Sequence, residues 1–184
     1  KNPKLAEVFL QERLSLIRSS NIKMTILDAR DYHQLSKIIS AIVPDVIIQL
    51  AAVSHANRSN KDPHSTFDHS LRTLENALDC AKHFGSHFIY FSSSMVYGNF
   101  KQTEVNENSL CDPIGIYGAL KYSGEKLVKA YNQVFNLPYT IIRPSALYGE
   151  RCISRRVGQI FIENAITNND IVTIEGNEIK TYDF

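Results

Sequence analysis

The chain has 184 residues, 43% of them hydrophobic, and a formal net charge of +1. That length supports one domain with a real core, and the balance fits a globular chain rather than a disordered one. The small charge gives no bulk pull toward nucleic acid or anionic membrane, no apolar run reaches the ~20 residues of a membrane span, and no signal peptide is read at the start.

Helix and strand patterns alternate along the chain. Residues 4–19 carry Leu5, Val8, Phe9, Leu16 and Ile17 at roughly helical spacing. "IKMTIL" (22–27) reads as a strand, and Asp31 as the N-cap of a helix to about Val43, stopped by Pro44. "DVIIQL" (45–50) is almost wholly apolar, the pattern of a central parallel strand buried on both faces. Asp62-Pro63 starts a helix, with proline at its first position, that runs to about Phe84. "HFIYFSS" (87–93) is the next strand, followed by a polar loop to Pro113, a helix over about 116–135 and the strand "YTIIR" (139–143). A helix near 156–168 and a terminal pair, "IVTI" and "EIKTY" around Gly176, complete the pattern. Strands joined by helices predict right-handed crossovers and four adjacent parallel strands in one sheet.

The three cysteines, Cys80, Cys111 and Cys152, form no CxxC and are odd in number. Neither a disulfide framework nor a zinc site is indicated, and no metal is expected. The expectation is a reducing, cytoplasmic setting, with Cys80 as a small apolar helix residue.

Tyrosine precedes lysine by four residues three times: Tyr97 and Lys101, Tyr117 and Lys121, Tyr122 and Lys126. The first pair lies in a turn-rich loop, where that spacing implies no contact. On a helical wheel Leu120, Gly124, Leu127, Val128, Tyr131, Val134 and Phe135 make a broad apolar face, with Tyr117 and Lys121 at its edge. Tyr122 and Lys126 are placed opposite, with Glu125, Lys129 and Gln133, as a solvated face. An inward lysine needs a partner or a cavity, or it must snorkel to water. Upstream, "FIYFSSSMVYG" (88–98) ends a strand in serines at its carboxyl end, where open α/β sheets bind ligands. Serines there also serve simply as caps, but Ser93 followed about 24 residues later by Tyr-x-x-x-Lys is a more specific constellation.

With "LDARD", "IIQLAAVSHANRS", "YGALKYSGEKLVKAY" and "LPYTIIRPSALYG" in the same order and at the same distances, the chain resembles the extended short-chain dehydrogenases/reductases. Within them it is most similar to the NAD-dependent nucleotide-sugar epimerases and dehydratases, of the UDP-glucose 4-epimerase type. The resemblance implies an α/β fold, a Rossmann-type doubly wound parallel sheet, with Ser93, Tyr117 and Lys121 as the catalytic trio. A free phenol has a pKa of about 10. A nearby ammonium and an oxidised nicotinamide favour the phenolate, and lowering that pKa by about three units takes roughly 4 kcal/mol. By the same resemblance Asp28 and Ala29 contact the adenine end of the cofactor, Leu50, Ala51 and Ala52 let its backbone pass, and Pro144 and Ser145 approach the nicotinamide. Asp28 reads equally as a turn residue, and "LAA" as small-residue packing.

The family's G-x-x-G-x-x-G loop is absent, as is the residue about 20 positions on that selects the ribose 2′ group. The chain reads as an internal portion, starting after the second strand and stopping before the sugar pocket is complete. Residues 1–150 are expected to be a partial NAD(P)-binding domain and 151–184 the start of a substrate-binding region. Ser70, Ala146 and Tyr182 stand where the family has Asn, Asn and Arg. Arg151, Arg155 and Arg156 are candidates for a diphosphate or form a solvated basic turn; Ser94 and Met95 fall on the substrate side. Family dehydratases place acids after the catalytic Ser/Thr, and Ser94 and Met95 cannot act as general acids. The expected function is NAD-dependent nucleotide-sugar 4-epimerisation, with NADP open. A one-way keto-sugar or carbonyl reductase and a non-catalytic nucleotide-binding scaffold are the alternatives. A homodimer is implied, through the outward faces of the 63–84 and 116–135 helices.

Overall fold

The computed structural model describes residues 3–54, 56–100, 103–145, 147, 149–152 and 157–169. Helix α1 spans Pro3–Ser19. Helix α2, Tyr32–Ile42, begins where the Asp31 carboxylate accepts the Gln34 amide at 3.0 Å. It ends on Val43 at φ 47°, because Pro44 disfavours a further helical residue before it. Strand β1 is Val46–Gln49. Helix α3, Ala56–Lys61, precedes α4, Pro63–Phe67, whose N-cap Asp62 accepts the Ser65 amide at 3.1 Å. A wide π turn, Asp68–Arg72, leads into α5, Thr73–Phe84, which stops at Gly85 with φ 70°. Strand β2 (His87–Phe91), a 3₁₀ turn (Ser94–Tyr97), helix α6 (Gly115–Phe135), strand β3 (Tyr139–Ile142) and helix α7 (Val157–Ile166) follow.

Contacts divide the chain into two compact units, residues 27–145 and residues 1–26 with 146–184. The sheet belongs to the first. It is parallel, in the order β1-β2-β3, with Ile48 opposite Ile89 and Ile89 opposite Thr140. Sequential order with right-handed crossovers sends both connections over the same face. On that face Phe88 and Tyr90 meet Leu74, Ala77, Leu78 and Ala81 of α5, Val128 of α6, and Leu137.

Four expectations are corrected. Residues 22–27 form no strand: they find no ladder partner among the described residues, Ile26 is 93% exposed, and alternation alone cannot hold an extended chain. The strand at 45–50 is not covered on both faces. Val46 and Ile48 are exposed while Gln49 is buried, since the helices packed on this strand lie on one side. The helix from Asp62-Pro63 does run in unbroken helical backbone to Phe84, but its middle, Asp68–Arg72, is a π turn, and a further helix, α3, stands before it. Finally, the wheel of α6 is redrawn. Its buried stripe is Gly118, Leu120, Lys121, Gly124, Glu125 and Val128. Val134 and Phe135, in the last turn, are exposed because this 21-residue helix is about twice as long as the strand beneath it, and Leu127 is exposed beside Phe67 and Leu71 in a surface groove. Glu125, expected in solvent, is fully buried. The strands expected around Gly176 lie outside the described residues.

Among the described residues no helix is long and apolar enough to cross a membrane, and no group of His, Cys, Asp and Glu is gathered that would hold a metal ion.

Candidate active site

Helix α6 lies close on the end of β2 because two of its positions lack side chains. A Cβ at Gly118 would come within 2.8 Å of the Met95 carbonyl oxygen, and one at Gly124 would overlap the Tyr90 hydroxyl. Between these glycines sits Lys121. Only 8% exposed, it donates Nζ at 2.6 Å to the carbonyl of Phe91, the last residue of β2. Its ammonium stands 5.3 Å from the Tyr90 ring centre and 6.0 Å from that of Tyr117. No carboxylate among the described residues pairs with it, and burial pushes its pKa down to about 8. Burial likewise pushes the Tyr90 phenol up, reinforced by the charge of Glu125.

Tyr117 and Lys121 line a cavity of about 10 Å³ at the carboxyl end of the sheet. That is about the space of one water. Ala51, Ala52 and Ser70 line it too, as do Gln49 and Thr66, which the sequence had not suggested. The "LAA" segment is held there by side chains. Gln49 donates to the Ala51 carbonyl at 3.0 Å, Thr73 donates to the same oxygen at 3.0 Å, and Ser70 accepts the Val53 amide at 3.4 Å. Ser70 rides on the π turn, a feature frequent at functional sites.

Ser93 does not line this cavity. It is buried two residues beyond the Phe91 carbonyl, and its hydroxyl accepts the Met95 amide at 3.2 Å, capping the 3₁₀ turn. Ser94 donates its amide to the Pro144 carbonyl at 3.0 Å, which ties the β2 end to the segment Pro144–Ser145. Ser94 and Ser145 are half-buried and Met95 is exposed. Leu50 is 65% exposed.

The Asp28 carboxylate is occupied. It accepts from Arg30 Nε at 3.0 Å and Nη2 at 2.6 Å, and these bonds hold its pKa down at about 2. Arg30 also reaches Asp68 on the π turn at 2.7 Å. The Ala29 and Arg30 carbonyls accept from the Asn76 amide at 3.0 and 2.9 Å. Asn76 had no signal in the sequence beyond its helix. Arg151 belongs to the other unit, where it pairs with Glu12 at 3.2 Å and Glu150 at 2.9 Å. Ala146, Arg155, Arg156 and Tyr182 lie outside the described residues.

The remaining tyrosines separate clearly. Lys126 stacks 4.9 Å from the centre of the half-buried Tyr122 ring, on the helix surface. Tyr97 accepts from Arg143, and Lys101 lies outside the described residues. Of the two pairs that are wholly described, Tyr117 and Lys121 line the cavity beside Ala51 and Ala52, and Tyr122 and Lys126 do not.

Comparison with known proteins gives a consistent picture. A family model described as the NAD dependent epimerase/dehydratase family matches residues 4–184. Protein CapI of Staphylococcus aureus is 31% identical over 141 residues, 76% of this chain and 42% of CapI. The dTDP-D-glucose 4,6-dehydratase of Dictyostelium discoideum is 28% identical over 181 residues, 92% of this chain and 42% of that protein. Among solved structures, UDP-glucose 4-epimerase of Thermotoga maritima, with UDP-glucose, superposes with a TM-score of 0.78 at 26% identity, over 86% of this chain and 53% of its own. The chain thus spans less than half the length of these curated relatives and about half of that solved structure.

Proposed function

We propose, since the chain belongs to the NAD-dependent epimerase/dehydratase family of the extended short-chain dehydrogenases/reductases, that it is the Ser/Tyr/Lys part of a nucleotide-sugar 4-epimerase. The observation that carries this reading is Lys121: a buried cation, with no carboxylate partner among the described residues, on the wall of a cavity that Tyr117 shares. Burying an ammonium there is costly, and a ribose hydroxyl or a phenolate beside it recovers part of that cost. The residues present suit NAD: Lys121 offers donors for its ribose, and Ala51 and Ala52 leave room for a backbone passing the strand end. Asp28 and Ala29 face its adenine end, with the Asp28 carboxylate already shared with Arg30, and Ser70, Pro144 and Ser145 complete the cradle. When bound, NAD supplies a hydride acceptor and donor. The other steps fall to the chain: Tyr117 takes the proton of the sugar hydroxyl, Lys121 favours its phenolate, and Ser93 orients the hydroxyl. Tyr117 gives the proton back to the sugar oxygen at the end of the cycle, so that the chain's own groups are restored.

The similarity to a dehydratase favours a second reading, elimination after oxidation. It needs a further proton carrier beside Ser93, and Ser94 and Met95 supply none. In the epimerase reading residues 1–150 serve the cofactor and 151–184 begin a substrate region to which Arg151 and Arg156 belong. A second copy of the chain pairs through the outer faces of the 63–84 helix and α6, where Phe67 of α4 and Leu127 of α6 are exposed.

The test is a panel of nucleotide sugars with the complete natural protein, followed by nuclear magnetic resonance. The 4-epimer should form with no net change in NADH. Accumulation of a 4-keto-6-deoxy sugar would turn the assignment to a dehydratase, and stoichiometric NAD(P)H consumption would turn it to a reductase.

A further inference from the structure

One helical turn after Lys121, α6 carries Glu125, whose exposure is 0%. Arg143, just past β3, grips it with two donors, Nε at 2.8 Å to Oε1 and Nη2 at 2.7 Å to Oε2. Ser92 donates its hydroxyl to Oε1 at 2.6 Å. The remaining Arg143 nitrogen, Nη1, donates to the Tyr97 hydroxyl at 3.0 Å and to the Glu107 carbonyl at 3.1 Å. One carboxylate therefore joins α6 to the ends of β2 and β3, and through Arg143 to the 3₁₀ turn and the loop at Glu107.

Each joined segment bears a candidate site residue beside the joint. Ser92 precedes Ser93, Arg143 precedes Pro144 and Ser145, and Glu125 follows Lys121 by one turn. The Ser92 amide donates to the Ile142 carbonyl at 2.8 Å and the Ser94 amide to the Pro144 carbonyl at 3.0 Å. Ser93 is thus held from both sides between β2 and β3, and the Ser92–Glu125 bond refers that segment to the helix that carries Lys121. Stability alone gives weak reason for such a pair, because apolar residues of similar volume often replace a buried ion pair at no loss. What apolar residues cannot reproduce is the directional hold on the Ser92 hydroxyl.

We propose that Glu125 and Arg143 are positioning residues, which set the Ser93 hydroxyl and the Lys121 ammonium at a fixed separation for the reaction. The proposal rests on the reading of Ser93, Tyr117 and Lys121 as the reacting groups. Misplacement by about 1 Å costs on the order of 10²-fold in rate.

The test compares Glu125→Gln, Ser92→Ala and the double variant Glu125→Leu/Arg143→Met with the parent, in the complete natural protein. Turnover per folded molecule, NAD affinity by calorimetry and the thermal midpoint are measured together. Glu125→Gln should lower kcat by roughly 10- to 10²-fold with NAD affinity changed less than about threefold. The double variant should regain the midpoint lost by Glu125→Gln but not the turnover. Ser92→Ala, which leaves the ion pair in place, should lower kcat by about tenfold with little change in midpoint, and it serves if the double variant does not fold. Turnover that follows the midpoint across the series, or stays at the parental level in Ser92→Ala and Glu125→Gln, overturns the positioning role. Tyr117→Phe run beside them separates the two claims. Its inactivity with fully active Glu125→Gln removes the positioning role alone, whereas its full activity removes the catalytic reading and the positioning role with it.

Discussion

Two buried charges one turn apart on α6 are treated in opposite ways. Around Glu125 every donor is spoken for: a two-pronged guanidinium and a serine hydroxyl answer the carboxylate. Around Lys121, among the described residues, one backbone carbonyl answers the ammonium, two aromatic rings stand near it, and a cavity opens beside it. A charge neutralised on all sides belongs to the architecture. A charge buried at a cost, with no counterion among the described residues, is where we propose that a ligand completes the balance.

The sharpest way to break this contrast is at the cavity. Tyr117→Phe keeps the ring and removes the proton acceptor, so turnover should fall by roughly 10²–10⁴-fold with a thermal midpoint close to the parent's. Steady-state kinetics on folded protein checks this, and unimpaired turnover would remove the cavity from the chemistry. On the architectural side, Glu125→Ala leaves the largely covered Arg143 guanidinium without its carboxylate partner. Chemical denaturation should show a loss of about 3–5 kcal/mol; a loss under 1 kcal/mol would mean water reaches that ion pair.

Lys121→Met sharpens the contrast through pH. The folded pKa of about 8 lies below the ordinary 10.5. Below pH 8 both folded and unfolded chains hold the proton, and the folded chain bears the full cost of the buried charge. Between about 8 and 10.5 the unfolded chain binds more protons than the folded one, so parental stability rises with pH. Without cofactor, the variant should therefore be more stable at pH 7, by an amount of order 1–3 kcal/mol, and the two curves should converge above pH 10. The same variant should bind NAD more weakly and turn over more slowly. Parallel stability curves would show that Lys121 reaches water. The smallest effect is expected at Tyr122→Phe, on the solvated side of the helix: rate and stability within experimental error. Damage equal to that of Tyr117→Phe would leave the two tyrosines undistinguished by position.

Much of this was legible locally. Asp31, Asp62-Pro63 and Pro44 set helix ends through their own backbone chemistry, and the structure places caps and stops there. The apolar runs at 45–50, 87–93 and 139–143 became β1, β2 and β3 within a residue or two. Lys121 was legible as an inward lysine from spacing alone. Glu125 was open to the same reasoning, lying four residues from Lys121 on the same stripe, but a glutamate among polar neighbours was read as solvent-facing. The partner that lets it be buried, Arg143, is 18 residues away on another element. The run at 22–27 failed for the converse reason: its pattern suited a strand, and no strand of the described sheet pairs with it.

By itself, then, the sequence determined the helix ends at Asp31, Pro44 and Asp62-Pro63, three of the four runs read as parallel strands of one sheet, and the inward place of Lys121. Those properties depend on neighbours within a few residues. Tertiary structure alone decided which sheet face is covered, that Gly118 and Gly124 bring Lys121 down onto the Phe91 carbonyl, and that Glu125 is buried. Each of these depends on what a distant segment places opposite, because burial of a charge becomes tolerable only when its counterion, carbonyl or ligand arrives from elsewhere in the fold.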